Sequence, residues 1–167
     1  LTAFVRRAAR GANSSQTLAA NMDVVLVVQA LDPGINVRRL ERELVLAHQS
    51  GATPIVVLTK TDAVDASVVA ESLISARASA RNVSVIAVSN RTRQGFDELG
   101  VLVEPCRTFA LLGSSGVGKS TLVNTFAGES IVLEGEIRNG DGKGRHTTTA
   151  ARLLHLADGR LLLDTPG

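Results

Sequence analysis

The chain has no tryptophan, no tyrosine and only four phenylalanines. Stacking of bases on an aromatic platform is therefore not its expected way of meeting RNA. Cys106 is the one cysteine. That excludes an intramolecular disulfide and a cysteine-based metal cluster within this chain. No run is apolar enough to span a bilayer and there is no signal-like start, so no membrane partner is expected and a cytoplasmic site is the default. An excess of one charge is also missing: 18 basic residues face 16 acidic ones, for a net charge of +2. Such a balance carries no strong nucleic-acid signature, although a local patch can still meet an acidic partner. Arg6, Arg7 and Arg10 form one basic cluster, and Arg38, Arg39 and Arg42 another. The second reads as the solvated face of a helix, with Glu41 and Glu43 beside it.

What the chain does have is a regular exchange of short apolar runs and helical patterns. At 167 residues it is one domain by size, large enough for a three-layer core. Val24–Gln29, Pro54–Leu58, Val83–Val88 and Thr108–Leu112 read as buried strands. Asn36–Gln49 reads as an amphipathic helix, with Val37, Leu40, Leu44 and Ala47 or His48 near one face and Gly51 ending it. His48 there is a helix-end or partly buried structural residue rather than a catalyst. Ala66–Arg81 is a second helix with Val69, Leu73 and Ile74 inward, and Gln94–Val103 a short third one before Glu104-Pro105 breaks the chain. Strands alternating with helices predict an α/β fold: a mainly parallel sheet with helices on both faces. Glu134–Thr149, with four glycines and few apolar anchors, is the least foldable stretch. It reads both as a surface loop and as a switch ordered by γ-phosphate and Mg²⁺.

Between the Thr108–Leu112 strand and a helix over Ser120–Ala127 lies Gly113-Ser114-Ser115-Gly116-Val117-Gly118-Lys119-Ser120-Thr121. It fits the phosphate-loop pattern G-x-x-x-x-G-K-[ST] at every specified position, in the strand–loop–helix context that the chemistry requires. Glycines let backbone N–H groups turn inward around phosphate oxygens, where a Cβ would clash. The helix directs its positive N-terminal end at the same oxygens. Lys119 adds a charge for the β- and γ-phosphates, and the Ser120 hydroxyl is a ligand for Mg²⁺. The bland alternative is a glycine-rich turn that binds nothing.

Two further signatures stand at strand ends, where α/β folds bind ligands. Thr59-Lys60-Thr61-Asp62 follows the Pro54–Leu58 run. It resembles the guanine-reading motif of GTPases, Asn-Lys-x-Asp. In that resemblance Asp62 accepts from guanine N1–H and the 2-amino group, and the Lys60 stem lies along the base. Thr59 offers one hydroxyl where the usual Asn offers an amide. The alternative is an ordinary loop in which Asp62 or Asp65 caps the next helix. At the far end Leu161-Leu162-Leu163-Asp164-Thr165-Pro166-Gly167 is an apolar strand entering Asp-x-x-Gly. An acidic residue at such a strand end holds Mg²⁺, usually through water, and the Gly167 N–H is placed to sense a γ-phosphate.

The order of the motifs is reversed: the guanine-type motif precedes the phosphate loop, whereas an ordinary small GTPase has the phosphate loop first. This is a circular permutation, which one sheet tolerates when the old termini are close and the new break falls in an exposed loop. With that order, Gln16–Asp23, Val37–Arg42, the phosphate loop and Gly144-Arg145-His146-Thr147-Thr148-Thr149-Ala150-Ala151-Arg152-Leu153 resemble the circularly permuted ribosome small-subunit-dependent GTPase A family (RsgA, also called YjeQ).

The resemblance implies a three-layer P-loop NTPase fold and hydrolysis of GTP to GDP and phosphate in small ribosomal subunit maturation. It implies that Ser120 and Thr148 hold Mg²⁺ with Asp164 in its outer shell, and that His146 either orients water or only packs in the switch. Ser89 matches a loop whose next backbone N–H contacts guanine O6; Asn90 stands there in place of the family's Ala. The small ribosomal subunit and its rRNA are the implied partners of a monomeric protein. Residues 1–22 read as a connector from an N-terminal domain, and 23–167 as the permuted GTPase domain, ending within Asp-x-x-Gly. The family's zinc-binding region lies after this core, so Zn²⁺ is expected only in a C-terminal domain. The competing readings are a nucleotide-gated ribosome- or RNA-binding module in which hydrolysis only ends the bound state, and an ATPase with a similar phosphate loop.

Overall fold

The computed structural model describes residues 3–7, 15–103, 108–127, 152–156 and 159–164. Among them, six strands form one sheet, flanked by helices on both faces. The strands are β3 (Val24–Ala30), β4 (Thr53–Thr59), β5 (Ser84–Ala87), β6 (Thr108–Leu112), β7 (Arg152–His155) and β8 (Leu161–Asp164). Their spatial order is β5-β4-β3-β6-β8-β7, and only β7 runs antiparallel to its neighbour. The chain enters this sheet at its centre, builds outward to β5, and returns to place β6 on the other side of β3. Reading from β6 instead restores the order expected of an unpermuted fold, as the motif order required.

Side-chain alternation explains why the central strands are apolar throughout. Val24, Leu26 and Val28 face one cluster, with Phe109 and Leu111 of β6. Val25 and Val27 face the other, with Val56 and Leu58 of β4. A strand covered on both faces has no solvent side to make polar. The first face is covered by α3 (Phe96–Val103) and α4 (Lys119–Ala127), the second by α1 (Val37–Gln49) and α2 (Ala66–Ala80). The Phe126 ring lies against Phe96 and Phe109, and the Arg160 guanidinium covers the Phe109 and Phe126 rings.

The helices follow their sequence patterns with two corrections. On α2 the inward stripe is Val69, Leu73, Ala76 and Ala80, while Ile74 is 69 % exposed. One step from Leu73 turns a helical side chain about 100° away from it, so both cannot face the core. On α1 the stripe is Leu40, Glu43, Leu44 and Ala47. Glu43 therefore shares the buried face instead of the solvated one, at 6 % exposure. Its Oε1 accepts from Arg39 Nε at 2.9 Å and its Oε2 from Gln29 Nε2 at 2.5 Å, which satisfies the buried carboxylate. Arg38, Arg42 and His48 are exposed. The Asn36 side chain caps α1 by accepting from Arg39 N at 3.0 Å, a contact worth about 1 kcal/mol.

The stretch expected as a connector holds an antiparallel pair, β1 (Ala3–Arg7) with β2 (Ser15–Ala20), bulged between Phe4 and Val5. Where β3 begins, Asp23 ties three strand starts together. Its backbone N–H donates to Thr108 O, its carboxylate accepts from Thr108 N, and its carbonyl accepts from Thr53 N.

Candidate nucleotide site

The topology creates a crevice at the carboxyl ends of β6 and β3. The helix after β6 covers one face of the sheet and the helix after β3 covers the other, so the two connections part there. Such a switch point is where doubly wound sheets bind ligands. The phosphate loop occupies it. A Cβ on Gly113 would lie 2.4 Å from Val28 O, so the loop can cross the end of β3 only with glycine there. Val117 turns inward and packs in the core, which anchors the loop from below. Leu122 N donates to Gly118 O at 2.9 Å and opens α4.

Lys119 lies back across the loop, its Nζ donating to Gly113 O at 2.5 Å and Ser114 O at 2.9 Å. Its charge is thereby held over the backbone cradle that the glycines shape. Ser115, Ser120 and Thr121 are exposed, with Ser120 in the first turn of α4. An exposed hydroxyl beside a phosphate cradle suits Mg²⁺, which takes oxygen ligands and shares them with substrate phosphates.

β4 brings the Thr59–Asp62 segment to the same end. Thr59 is fully buried, and its hydroxyl donates to Val117 O at 2.6 Å, with Gln29 O a longer acceptor at 3.3 Å. Lys60 follows in the left-handed region at φ 62, unusual for a non-glycine residue, and turns the chain sharply into a 3₁₀ turn over Thr61–Ala63. The Asp62 carboxylate emerges exposed and accepts from Ser89 Oγ at 2.6 Å. Ser89, two residues after β5, is fully buried, and its Oγ accepts in turn from Thr92 N at 3.0 Å. The Ser89 hydroxyl holds the Asp62 carboxyl below its ordinary range, against partial desolvation; the Asp62 backbone N–H and the Arg91 charge act with it. A carboxylate kept ionised and aimed outward is an acceptor pair for a donor-rich edge.

These bonds decide against the capping alternative. Asp62 is engaged by Ser89, and Asp65, at the N-cap of α2, makes no side-chain capping bond. Asn90, next to Ser89, comes close to the phosphate loop: a Cβ on Gly118 would be 3.4 Å from Asn90 Nδ2 and 3.5 Å from Thr59 Oγ1. Asn90 Oδ1 and Thr61 Oγ1 are buried polar atoms without a hydrogen-bond partner among the described residues.

Thr59, Lys60, Asp62, Ser89, Asn90 and the whole Gly113–Thr121 loop therefore converge on one end of the sheet. Asp164 ends β8 in register with Leu111, two residues before Gly113, which brings its backbone to that end too. The Asp164 side chain, His146, Thr148 and Gly167 lie outside the described residues, as does the Glu134–Thr149 stretch. Grooves of about 540 Å³ open elsewhere, along β5 with α3 and at the amino ends of β3 and β4. A phosphate cradle built from backbone is an open surface, so groove size does not locate it. Sequence reasoning missed the bond from Thr59 to the phosphate loop and the carboxylate clamp by Ser89. A small hydroxyl residue directly after an apolar strand was the available signal for both.

The family model for the RsgA GTPase matches residues 2–167. The small ribosomal subunit biogenesis GTPase RsgA of Methanosarcina acetivorans is 42 % identical over 166 residues, 99 % of this chain and 44 % of that protein. Its namesake in Xylella fastidiosa is 46 % identical over 165 residues, 98 % of this chain and 49 % of the relative. The chain thus spans about half the length of the curated relatives it matches. The crystal structure of YjeQ from Thermotoga maritima superposes with a TM-score of 0.65 at 27 % identity, covering 88 % of this chain and 48 % of the other. YloQ, a circularly permuted GTPase, shares the fold, with a TM-score of 0.58 at 23 % identity over 92 % of this chain and 46 % of its own. The chain belongs to the RsgA GTPase family.

Proposed function

We propose that this chain is the nucleotide-binding and catalytic domain of a GTP phosphohydrolase that serves maturation of the small ribosomal subunit. The observation that carries the reading is the bond from Thr59 Oγ1 to Val117 O, which locks the base-reading segment to the phosphate loop. A ligand spanning both must carry a purine edge at Asp62 and phosphates at Gly113–Thr121. Guanine offers N1–H and a 2-amino group to a carboxylate; adenine offers no such pair.

In hydrolysis a water oxygen bonds to the γ-phosphorus while the bond to the β–γ bridging oxygen breaks, leaving GDP and inorganic phosphate. Lys119 and the loop N–H groups stabilise charge that builds on the phosphoryl oxygens. Mg²⁺, when bound, would neutralise β- and γ-oxygens, with Ser120 and Thr148 as ligands and Asp164 in the outer shell. His146 is the candidate for orienting the water, and the Gly167 N–H for sensing the γ-phosphate. The Asn90 backbone N–H is assigned to guanine O6.

The relatives are named for small ribosomal subunit biogenesis, which supports the small ribosomal subunit as the partner. Contact with its rRNA, a cytoplasmic site and a monomeric state belong to the same proposal. The test is phosphate release from GTP by the intact protein with and without small ribosomal subunits. Stimulation by subunits, lost in Lys119→Ala, is expected; release insensitive to both would remove the proposal.

A further inference from the structure

Guanine bound through Asp62 still presents two acceptors, O6 and N7, on its neighbouring edge. That edge needs donors from the protein, and Thr59 cannot supply one. A threonine hydroxyl has a single proton. The acceptors beside Thr59 Oγ1 are both carbonyls, Val117 O at 2.6 Å and Gln29 O at 3.3 Å, so its proton is already engaged. The Asn90 amide is a side-chain donor placed between the base-reading segment and the phosphate loop. Its Nδ2 is 3.4 Å from the position of a Cβ on Gly118, beside Thr59 Oγ1 at 3.5 Å from the same point. Its neighbour Ser89 holds the Asp62 carboxylate at 2.6 Å. Asn90 thus stands between the group that fixes one purine edge and the loop that fixes the phosphates. Its Oδ1 is buried without a partner among the described residues, so no bond to them fixes that end of the amide.

We propose that the Asn90 side chain is a specificity-determining contact, with Nδ2 donating to guanine N7. Two tasks are then divided between two residues: Thr59 bolts the base-reading segment to the phosphate loop, and Asn90 reads the N7 edge. The assignment rests on the guanine reading above.

The test is competition binding on the intact protein with GDP, 7-deaza-GDP and ADP. 7-Deaza-GDP replaces the N7 acceptor by C–H and keeps the edge that meets Asp62. Wild type is expected to bind GDP about fivefold more tightly than 7-deaza-GDP, the effect of one neutral hydrogen bond. In Asn90→Ala the two should bind equally. Asn90→Asp, which keeps the size and reverses the donor, should lose GDP relative to ADP, because a carboxylate accepts from the adenine 6-amino group. Equal binding of GDP and 7-deaza-GDP to wild type, or an undiminished preference in Asn90→Ala, overturns the Asn90 assignment. If wild type prefers GDP to ADP in either case, the guanine reading stands without it. If ADP matches GDP on wild type, both fall together.

Discussion

The Thr59 hydroxyl donates to the Val117 carbonyl oxygen at 2.6 Å, across 58 residues of chain. That bond joins the phosphate-loop motif to the segment proposed to read the base. Thr59→Val keeps the side-chain shape and removes the donor, leaving a buried carbonyl unpaired at a cost of about 1–3 kcal/mol. Thermal melting should show the loss of stability, and GDP affinity should fall with it. A Thr59→Val protein with unchanged melting and affinity would mean that the bond does not hold the two segments together.

Gly113→Ala tests the seat of the phosphate loop. The added Cβ would meet Val28 O at 2.4 Å, a backbone atom in the central strand that has no room to yield. Either β3 or the loop must shift, and a loss of about 2 kcal/mol or more in unfolding free energy is expected. Nucleotide affinity should drop further than stability, since the cradle itself is displaced. Denaturant unfolding and GDP titration on one preparation separate the two effects.

Ser89→Ala tests the electrostatics of Asp62. The Ser89 hydroxyl is the largest influence holding that carboxyl below the ordinary range of about 3.9. A depressed carboxyl contributes above its ordinary pKa and loses the contribution as pH falls through its folded value. Guanine binding should therefore persist into acid in wild type and fail at a higher pH in Ser89→Ala. Side-chain NMR titration of Asp62 reads this directly; an unmoved titration would assign the depression to another group.

Glu43→Ala addresses the buried carboxylate on α1. Removing it leaves Gln29 Nε2 without its acceptor inside the sheet–helix layer and frees Arg39. A loss of about 1–3 kcal/mol in unfolding free energy is expected. If melting is unchanged, the network is a bystander to the packing of α1.

Much of this architecture was legible because both faces of the sheet are covered. The apolar runs of β3, β4 and β6 mark themselves as buried strands, and G-x-x-x-x-G-K-[ST] carries its own backbone geometry. Alternation of strand and helix then leaves few topologies. Ile74 and Glu43 were misplaced for one shared reason: residue type was weighed above helical phase. Ile74 is apolar but one position off the stripe, and Glu43 is charged but on it. A hydroxyl after each apolar run signalled that Thr59 and Ser89 could bond, but their partners were not readable, since each depends on which strand lies beside which. Spacing along the chain does not encode a contact between β4 and a loop 58 residues away.

Base selection by Asp62 is the centre of the account, and one exchange of hydrogen-bonding partners tests it most directly. Wild type and Asp62→Asn are compared for binding of GDP, ADP and xanthosine diphosphate. Xanthine carries an acceptor where guanine has its 2-amino donor, so an asparagine amide complements it and a carboxylate repels it. Wild type should prefer GDP over both others, and Asp62→Asn should lose GDP while gaining xanthosine diphosphate. Equal competition by GDP and ADP on wild type, or an Asp62→Asn protein with the wild-type order of affinities, would contradict the assignment of Asp62 as the guanine reader.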